Sequence, residues 1–322
     1  MTAITHVKDD ESEVPLFQRR VATPRPRRKL GLARKEELTF YLLISPWIFG
    51  FLVLFVYPVI ASFYYSLTSW DLLQEPNWVG FQNYITLFTK DPLFWISLRV
   101  TLIYTVATVV LGTTGSLLLA VLLNQPIRGV RFYRTIYYLP AVISGVAVAQ
   151  LWRMIYNPDF GILNIALRAL GLRGPGWLAD PNWALFSLIL ISLWGIGAGM
   201  IIFLAALQGI PVHLYEAAEM DGAGSLNKFI YITIPMLSPA ILFSLITNTI
   251  ASFQAFTQVF VLTQGGPANA TKVYALQLFL NAFQFFKMGY ASAMAWILFA
   301  IMIVITIVQM KFSSQWVYTE NG

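Results

Sequence analysis

The hydrophobic positions of the 322-residue chain are concentrated in six long segments. These segments are uniformly apolar, whereas the strands of a membrane barrel alternate polar and apolar positions over about ten residues. A helix needs about 20 apolar residues to cross the core of a bilayer. The pattern therefore predicts an all-α membrane protein with six transmembrane helices, at residues 39–67, 100–123, 135–156, 183–208, 230–262 and 288–310.

Composition excludes the two soluble domains that the length alone would allow. Hydrophobic residues make up 57% of the chain and charged residues 11%, against roughly 45–50% and about 25% in ordinary globular proteins. So few charged residues cannot cover a soluble surface. The chain also has no cysteine, which excludes disulfide scaffolds, thiol catalysis and cysteine-ligated zinc.

Lysine and arginine are distributed unequally between the two sides of the predicted spans. With the N-terminus in the cytoplasm, fourteen of the twenty-one lie inside, nine of them in residues 1–38. Cytoplasmic segments carry such an excess, so both termini are predicted to be cytoplasmic, with tails at 1–38 and 312–322 around a membrane domain at 39–311. The net charge of +6 then reflects orientation at the lipid surface, not nucleic-acid binding. Residues 158–182 face outward, as a short interfacial helix and a Gly/Pro turn.

The central parts of the six segments contain no charged residue and no histidine. An ion-coupled transporter usually keeps such groups in its spans to bind or relay the ion. The chain also lacks any Gly-Lys pair, and therefore a phosphate-binding P-loop of its own. No intramembrane His/Glu cluster or Ser–His pair is present, so we expect no catalytic residue, metal site or bound cofactor. If the protein pumps, another subunit must supply the energy.

Glycine and proline residues in the loop at residues 209–229 indicate where helices begin and end. Gly209 can end the fourth span, and Pro211 suits the first turn of a new helix. The following residues up to Met220 favour a helix, and the Asp221-Gly222 pair breaks it. We therefore predict a short cytoplasmic helix clamped between two spans, the second of which is kinked near its start at Pro235 and Pro239.

Three strings in the chain carry a resemblance to a known family. They are Glu216-Ala217-Ala218 with Asp221-Gly222 and Ile232-x-Ile234-Pro235, then Thr263-Gln264-Gly265-Gly266-Pro267, and Leu139-Pro140 with Asn157-Pro158-Asp159-Phe160-Gly161. The first resembles the coupling-loop signature of binding-protein-dependent ABC importer permeases, although Ile234 stands where the family usually has leucine. The second resembles a string of the carbohydrate branch. Over residues 40–311 the chain is most similar to the maltose-type first permease, without its large periplasmic insertion.

The resemblance implies a type I ABC importer permease fold in a bacterial cytoplasmic (inner) membrane. The implied partners are a second homologous permease, two cytoplasmic ATPase subunits that bind ATP and Mg²⁺, an extracellular or periplasmic solute-binding protein and a carbohydrate. It also implies that a cytoplasmic coupling helix between spans four and five docks in a cleft of an ATPase subunit. The docking residues would be Glu216, Ala217, Ala218, Asp221 and Gly222.

Residues for a substrate pathway come partly from the chain itself and partly from the resemblance. Asn248 and Ser252 are four residues apart, so they share a face of the fifth span. Polar residues in spans also serve hydrogen bonds between helices, and this alternative stays open. The resemblance implies further contacts at Ala141, Gly145, Trp194, Gly195, Ala198, Ala251, Ser252 and Ala255. Several of these are small, which suggests a wide cavity, although Gly195 and Gly199 also form a G-x-x-x-G packing pattern.

Two alternatives to a carbohydrate permease remain at this point. The first is a permease for another solute, such as a glycerophosphodiester or a polyol. The second is a non-transport membrane scaffold. The predicted loop at residues 209–229 argues against the scaffold, which has no need for a surface helix followed by a kinked span.

Overall fold

The computed structural model describes residues 30–318, so most of the predicted basic tail and the last four residues lie outside the described range. The described residues form two compact units, one up to Pro58 and one from Val59 onward. The helices are α1 (Leu30–Phe51), α2 (Tyr57–Ser66), α3 (Gln82–Lys90), α4 (Pro92–Leu123), α5 (Val130–Val142), α6 (Gly145–Ile155), α7 (Ile162–Ala169), α8 (Pro181–Leu193), α9 (Gly197–Gln208), α10 (Val212–Met220), α11 (Ser225–Lys228), α12 (Ile234–Phe253), α13 (Thr257–Leu262), α14 (Tyr274–Phe279) and α15 (Met288–Ser313). Single π-helical turns occupy Leu52–Val56, Phe229–Thr233 and Leu280–Gln284.

The helix of the first unit begins before the predicted boundary at residue 39. It starts at Leu30 because the sequence Arg34-Lys35-Glu36-Glu37-Leu38 consists of good helix formers. The charges end the apolar segment without ending the helix. The side chains from Leu38 to Phe55 are mostly exposed, including large apolar ones.

Four helical stretches among the described residues are long and apolar enough to cross a membrane, or up to six if each of two bent pairs is one span. The four are Arg34–Ser66, Pro92–Leu123, Ser225–Leu262 and Met288–Ser313, and the bent pairs are α5–α6 and α8–α9. The second stretch starts earlier than predicted because the Asp91 carboxylate accepts hydrogen bonds from the Leu93 and Phe94 N–H groups. This N-cap adds two turns before the apolar core.

The third predicted span, residues 135–156, is occupied by two helices joined at a bend. Helices α5 and α6 meet at an angle of 100°. Pro140 lies inside α5 and has no N–H group to donate. Ile143 and Ser144 then have ψ angles of 139° and 133°, which belong to extended backbone. The helical hydrogen-bond pattern cannot continue through two extended residues, so a new helix begins at Gly145.

The fourth predicted span, residues 183–208, is also occupied by two helices joined at a bend. Helices α8 and α9 are bent by 44° at residues 194–196. Just beyond this break, a Cβ atom on Gly197 would lie 1.9 Å from the Tyr137 carbonyl oxygen in α5. The absence of a side chain at Gly197 therefore allows the backbones of α9 and α5 to approach closely.

The core of the second unit surrounds α4, which packs against α8, α9, α12 and α14. One buried cluster joins α4, α9 and α12 and includes Ala120, Met200, Phe203 and Leu237, all inaccessible to solvent. Another joins α4, α14 and α15 around Phe94, Tyr274 and Met294. Burial raises the pKa of the Tyr274 hydroxyl. That hydroxyl donates to the Met294 carbonyl at 2.8 Å.

The connection between α2 and α3 contains two short strands, β1 (Thr68–Ser69) and β2 (Asn77–Trp78), which pair antiparallel. Asn83 Nδ2 donates to the Ser66 and Thr68 carbonyls at 2.9 Å each. A Cβ atom on Gly289 would lie 2.0 Å from the Thr68 carbonyl oxygen. Asn83 thus ties β1 to α3, and Gly289 lets the start of α15 lie close to β1, where its N–H donates to the Trp70 carbonyl at 3.1 Å.

Residues 158–182 contain the short helix α7, then a turn with Gly171 in the left-handed region at φ 76°, and then a 3-10 turn at Trp177–Ala179 before α8 begins. Buried Asn164 accepts a hydrogen bond from Trp177 Nε1 at 2.7 Å and donates to the carbonyls of Pro158 and Pro175. The Trp177 ring stacks on Tyr156 at the end of α6 with centroids 5.1 Å apart. This segment is therefore packed against the helices through its own polar and aromatic anchors.

Candidate functional site

A cavity of about 290 Å³ lies among α4, the α8–α9 break and the second half of α12. Its walls consist of small or uncharged polar residues for the most part. They are Tyr104, Thr108, Gly112 and Ser116 of α4, Ser192, Gly195, Ile196, Ala198 and Gly199 around the break, and Asn248, Ala251, Ser252, Ala255 and Gln258 from α12 onward. The lining contains no charged side chain. Such a cavity suits a neutral, hydroxyl-bearing solute better than an ion.

The structure brings six of the nine predicted pathway residues together in this cavity. They are Gly195, Ala198, Asn248, Ala251, Ser252 and Ala255. The other three predicted residues, Ala141, Gly145 and Trp194, are not part of its lining.

The bent helices explain where these three residues lie. Ala141 is exposed in the last turn of α5, and the 100° bend directs α6 away from it. A Cβ atom on Gly145 would contact the Thr257 side chain at 3.6 Å. Half-buried Trp194 packs edge-to-face on Trp152, with centroids 5.8 Å apart and an interplanar angle of 80°. In this structure Trp194 is therefore packed against other aromatic side chains.

Asn248 and Ser252 line the cavity and also bond to α4. The hydroxyls of Ser252 and Thr108 are hydrogen-bonded at 3.0 Å. Asn248 Nδ2 donates to Thr113 Oγ1 at 3.2 Å and to Ser244 Oγ at 3.1 Å. The two interpretations of this polar face, cavity lining and helix packing, therefore apply to the same residues.

Sequence reasoning missed the wall that α4 contributes. Tyr104, Thr108, Gly112 and Ser116 recur every four residues, which places them on one helical face. The spacing of hydroxyl groups and glycine in the second span was the available signal. Ser116 Oγ donates to the Ile196 carbonyl at 2.8 Å, which also accepts the Met200 N–H, and this bond joins α4 to the start of α9.

The G-x-x-x-G pattern serves two purposes in the structure. Gly195 is exposed to the cavity. A Cβ atom there would be in ordinary contact with the Ser192 carbonyl oxygen, at 3.5 Å, and with nothing closer. A Cβ atom on Gly199 would lie 2.5 Å from Ser116 Oγ. Gly199 therefore allows close packing of α9 on α4, whereas Gly195 widens the cavity.

The loop at residues 209–229 forms a second feature of interest. Gly209 follows α9, Pro211 precedes α10, and α10 ends at Met220. Gly222 has a φ angle of 76°, and the N–H of Ala223 donates to the Ala218 carbonyl at 2.9 Å. This arrangement satisfies the last carbonyls of the helix and reverses the chain.

One surface of this loop combines acidic and apolar exposed side chains. Glu216, Ala217, Asp221 and Gly222 are exposed, and Ala218 is half-buried. Beside them stand three large apolar side chains in water-exposed positions, Val212, Met220 and Leu226, of which Met220 is 89% exposed. We call this surface, formed by residues 212–226, the α10 surface.

Comparisons with known proteins identify the family of the chain. No protein-family model matches the chain. It is 44% identical over 298 residues to the Probable ABC transporter permease protein YesP of Bacillus subtilis, covering 91% of this chain and 96% of that protein. It is 36% identical to the Lactose transport system permease protein LacF of Rhizobium radiobacter, covering 87% and 95% of the two chains.

A solved structure agrees with these relatives. The chain superposes with a TM-score of 0.79 and 26% identity on a chain of a bacterial ABC transporter involved in the import of the acidic polysaccharide alginate, covering 89% of this chain and 98% of that one. The chain therefore belongs to the permease family of ABC transporters. It is a multi-pass inner-membrane protein and a transport subunit, not an enzyme.

Proposed function

We propose that this chain is one of two permease subunits of an ATP-driven importer and forms half of a pathway for an oligosaccharide. It has six transmembrane helices in the type I importer arrangement, with α5–α6 and α8–α9 as two bent spans and both termini in the cytoplasm. The uncharged cavity between α4, α9 and α12 carries the proposal. Hydroxyl, amide and small apolar groups in its lining suit the polar edges and C–H faces of a sugar.

The named substrates of related proteins support a carbohydrate. LacF is a lactose system permease, and a relative in Thermococcus litoralis with 33% identity is a trehalose/maltose system permease. The alginate transporter was solved in complex with an alginate pentasaccharide-bound periplasmic protein. A glycerophosphodiester carries a negative charge and would favour a cation in the cavity, which its lining residues do not supply.

The α10 surface supports a cytoplasmic coupling role. In this proposal α10 is the coupling helix and docks, through Glu216, Ala217, Ala218, Asp221 and Gly222, in a cleft of an ATPase subunit. Two such subunits bind ATP and Mg²⁺, a second permease completes the pathway, and a periplasmic binding protein delivers the sugar. Exposed apolar residues within an acidic surface, such as Met220, are typical of a contact patch.

The cavity is tested by two substitutions that add bulk. In the assembled complex, Ser252→Leu and Ala255→Trp should reduce uptake several-fold, and Ala255→Trp should exclude longer sugars before shorter ones. The measurement is uptake of radiolabelled glucose, lactose, maltose and maltotriose by proteoliposomes that contain the complex and its binding protein.

Ala300→Trp, at an exposed alanine of α15, is the matched control for added bulk in a span. Unchanged uptake of every transported sugar by both cavity variants would contradict the assignment of this cavity. Uptake of a polyol but of no sugar by the parent complex would contradict the proposal that the substrate is a carbohydrate.

The orientation is tested by single cysteines, because the natural chain has none. Arg173, in the turn after α7, should react with an impermeant maleimide from outside the cell when replaced by cysteine. A cysteine at Lys35 should react only after the membrane is opened. Both positions are exposed in the structure. The reverse labelling pattern would exclude a cytoplasmic α10 and therefore docking to an ATPase.

A further inference from the structure

Two side-chain links connect α10 to the start of the fifth span. The first is a hydrogen bond between the hydroxyls of Tyr215 and Thr233, whose oxygens are 3.0 Å apart. Thr233 is the last residue of the π-helical turn that leads into α12, and it is buried. Its hydroxyl also lies 3.4 Å from the Lys228 carbonyl oxygen, to which it can donate. The tyrosine therefore contacts a residue that is itself fixed within the span.

The second link is ionic. Lys228 Nζ lies 3.6 Å from Glu219 Oε1, and the side chains are 21% and 73% exposed. This pair joins the last turn of α10 to the residue immediately before the π-helical turn. Such a partly exposed pair contributes little to folding stability, but it fixes the relative position of its two helices at low salt.

Apolar packing holds the other face of the same junction. Leu214 and Tyr215 of α10 pack against the buried cluster of α4, α9 and α12, together with Ile232 and Met236. Tyr215 thus has its ring in the core and its hydroxyl on Thr233. Leu214 and Tyr215 are partly buried on this side of α10, whereas Glu216, Ala217 and Glu219 are exposed.

We propose that Tyr215, Thr233, Glu219 and Lys228 form a strap that makes α10 and the start of the fifth span move as one body. The proposal rests on the coupling role proposed above for α10. These four are positioning residues, because they bind neither sugar nor nucleotide in this scheme. Without the strap, α10 can follow a docked subunit while the span, and the cavity wall that it carries, stays behind. Loss of the strap should therefore separate ATP hydrolysis from transport.

The hydrogen bond is tested with Tyr215→Phe and Thr233→Val, which keep the ring and the branched shape. Proteoliposomes containing the full complex and its binding protein are assayed for ATP hydrolysis and for uptake of whichever of the four labelled sugars the parent transports best. Each variant should lower sugar molecules transported per ATP hydrolysed at least three-fold, while hydrolysis changes less than two-fold. The double variant should be no worse than either single one, because both remove the same bond.

Tyr231→Phe is the matched control, since Tyr231 is 75% exposed in the same π-helical turn. Equal transport per ATP in parent and both single variants would overturn the strap, as would losses in the double variant that multiply. A loss in Tyr231→Phe equal to that in Tyr215→Phe would also overturn it. Failure of the parent complex to transport any sugar would instead contradict the proposed function.

The ionic link is tested by exchange of charges. Glu219→Lys and Lys228→Glu should each reduce transport per ATP, and the double exchange should restore at least half of the loss. If Glu219 served only a contact with an ATPase subunit, the exchange would leave the loss in place, and that result would overturn this half of the strap. Size-exclusion chromatography of each complex checks that all variants assemble.

Discussion

Replacement of Gly197 by alanine is expected to prevent accumulation of the folded protein in the membrane. The added Cβ atom would lie 1.9 Å from the Tyr137 carbonyl oxygen and 3.0 Å from the Tyr138 Cα atom. Both are backbone atoms of α5, so no side-chain rotation relieves the overlap. We expect a loss of more than about 3 kcal/mol, at or beyond the upper end of overpacking in cores, measured as thermal unfolding in detergent.

The matched control is Gly112→Ala in α4, where a Cβ atom would meet no other atom within 4 Å. Both substitutions add one methyl group within a helix, so propensity alone favours them equally. A Gly197→Ala protein that melts within a few degrees of the parent would mean that α5 and α9 are farther apart in the membrane than in this structure. It would then also remove the basis for two separately bent spans.

Replacement of Glu216 by lysine is expected to abolish import while the chain still enters the membrane. Glu216 is exposed on α10, makes no salt bridge within residues 30–318, and contributes negative charge to the α10 surface. In the proposed docking to an ATPase subunit, a lysine there would replace an acid that faces the cleft, and a charge reversal at a docking surface costs affinity. We expect at least a ten-fold fall in uptake by the assembled complex, with weaker retention of the ATPase subunits during purification.

Glu75→Lys, at an exposed acid between β1 and β2, is the control for a charge reversal on the same chain. Gly222→Val should act in the same direction as Glu216→Lys, because φ 76° costs a β-branched residue about 1–2 kcal/mol. Normal uptake and normal retention of the ATPase in Glu216→Lys would count against docking through this side chain.

The positions of the helices could be predicted from the sequence, but their bends could not. A long apolar segment without charged residues identifies a membrane span. Gly209, Pro211 and Gly222 mark the ends of α9 and α10 locally. The 100° bend before Gly145 depends on more than Pro140, because many membrane helices pass through a proline. The close approach of α5 to α9 in turn requires Gly197 to leave room for the Tyr137 carbonyl. Such a requirement between distant residues leaves no periodic signal.

The residues that line the cavity could be predicted only in part from the sequence. Asn248 and Ser252 stood out as polar residues four apart in an apolar helix, and both line the cavity. The resemblance also implies Gly195 and Ala198, which line the cavity, and Ala141, Gly145 and Trp194, which do not. Ala141 and Gly145 lie on either side of the 100° bend, whose position the sequence does not reveal. The α4 wall was missed because threonine and serine in a span usually bond to their own backbone, as Thr108 also does with the Tyr104 carbonyl.

The cavity walls have a consequence for the evolution of selectivity. Five positions in the cavity wall have no side chain or only a methyl group, so nearly every substitution there makes the cavity smaller. They are Gly112, Gly195, Ala198, Ala251 and Ala255. If the cavity holds the solute as proposed, single substitutions that add one methyl group would narrow the range of solutes without adding a charge. The reverse substitutions would restore the broad range of solutes, because the hydrogen bonds of Asn248 and Ser252 hold α12 against α4 in either case. The size of the cavity can therefore change in either direction while the contact between α12 and α4 stays the same.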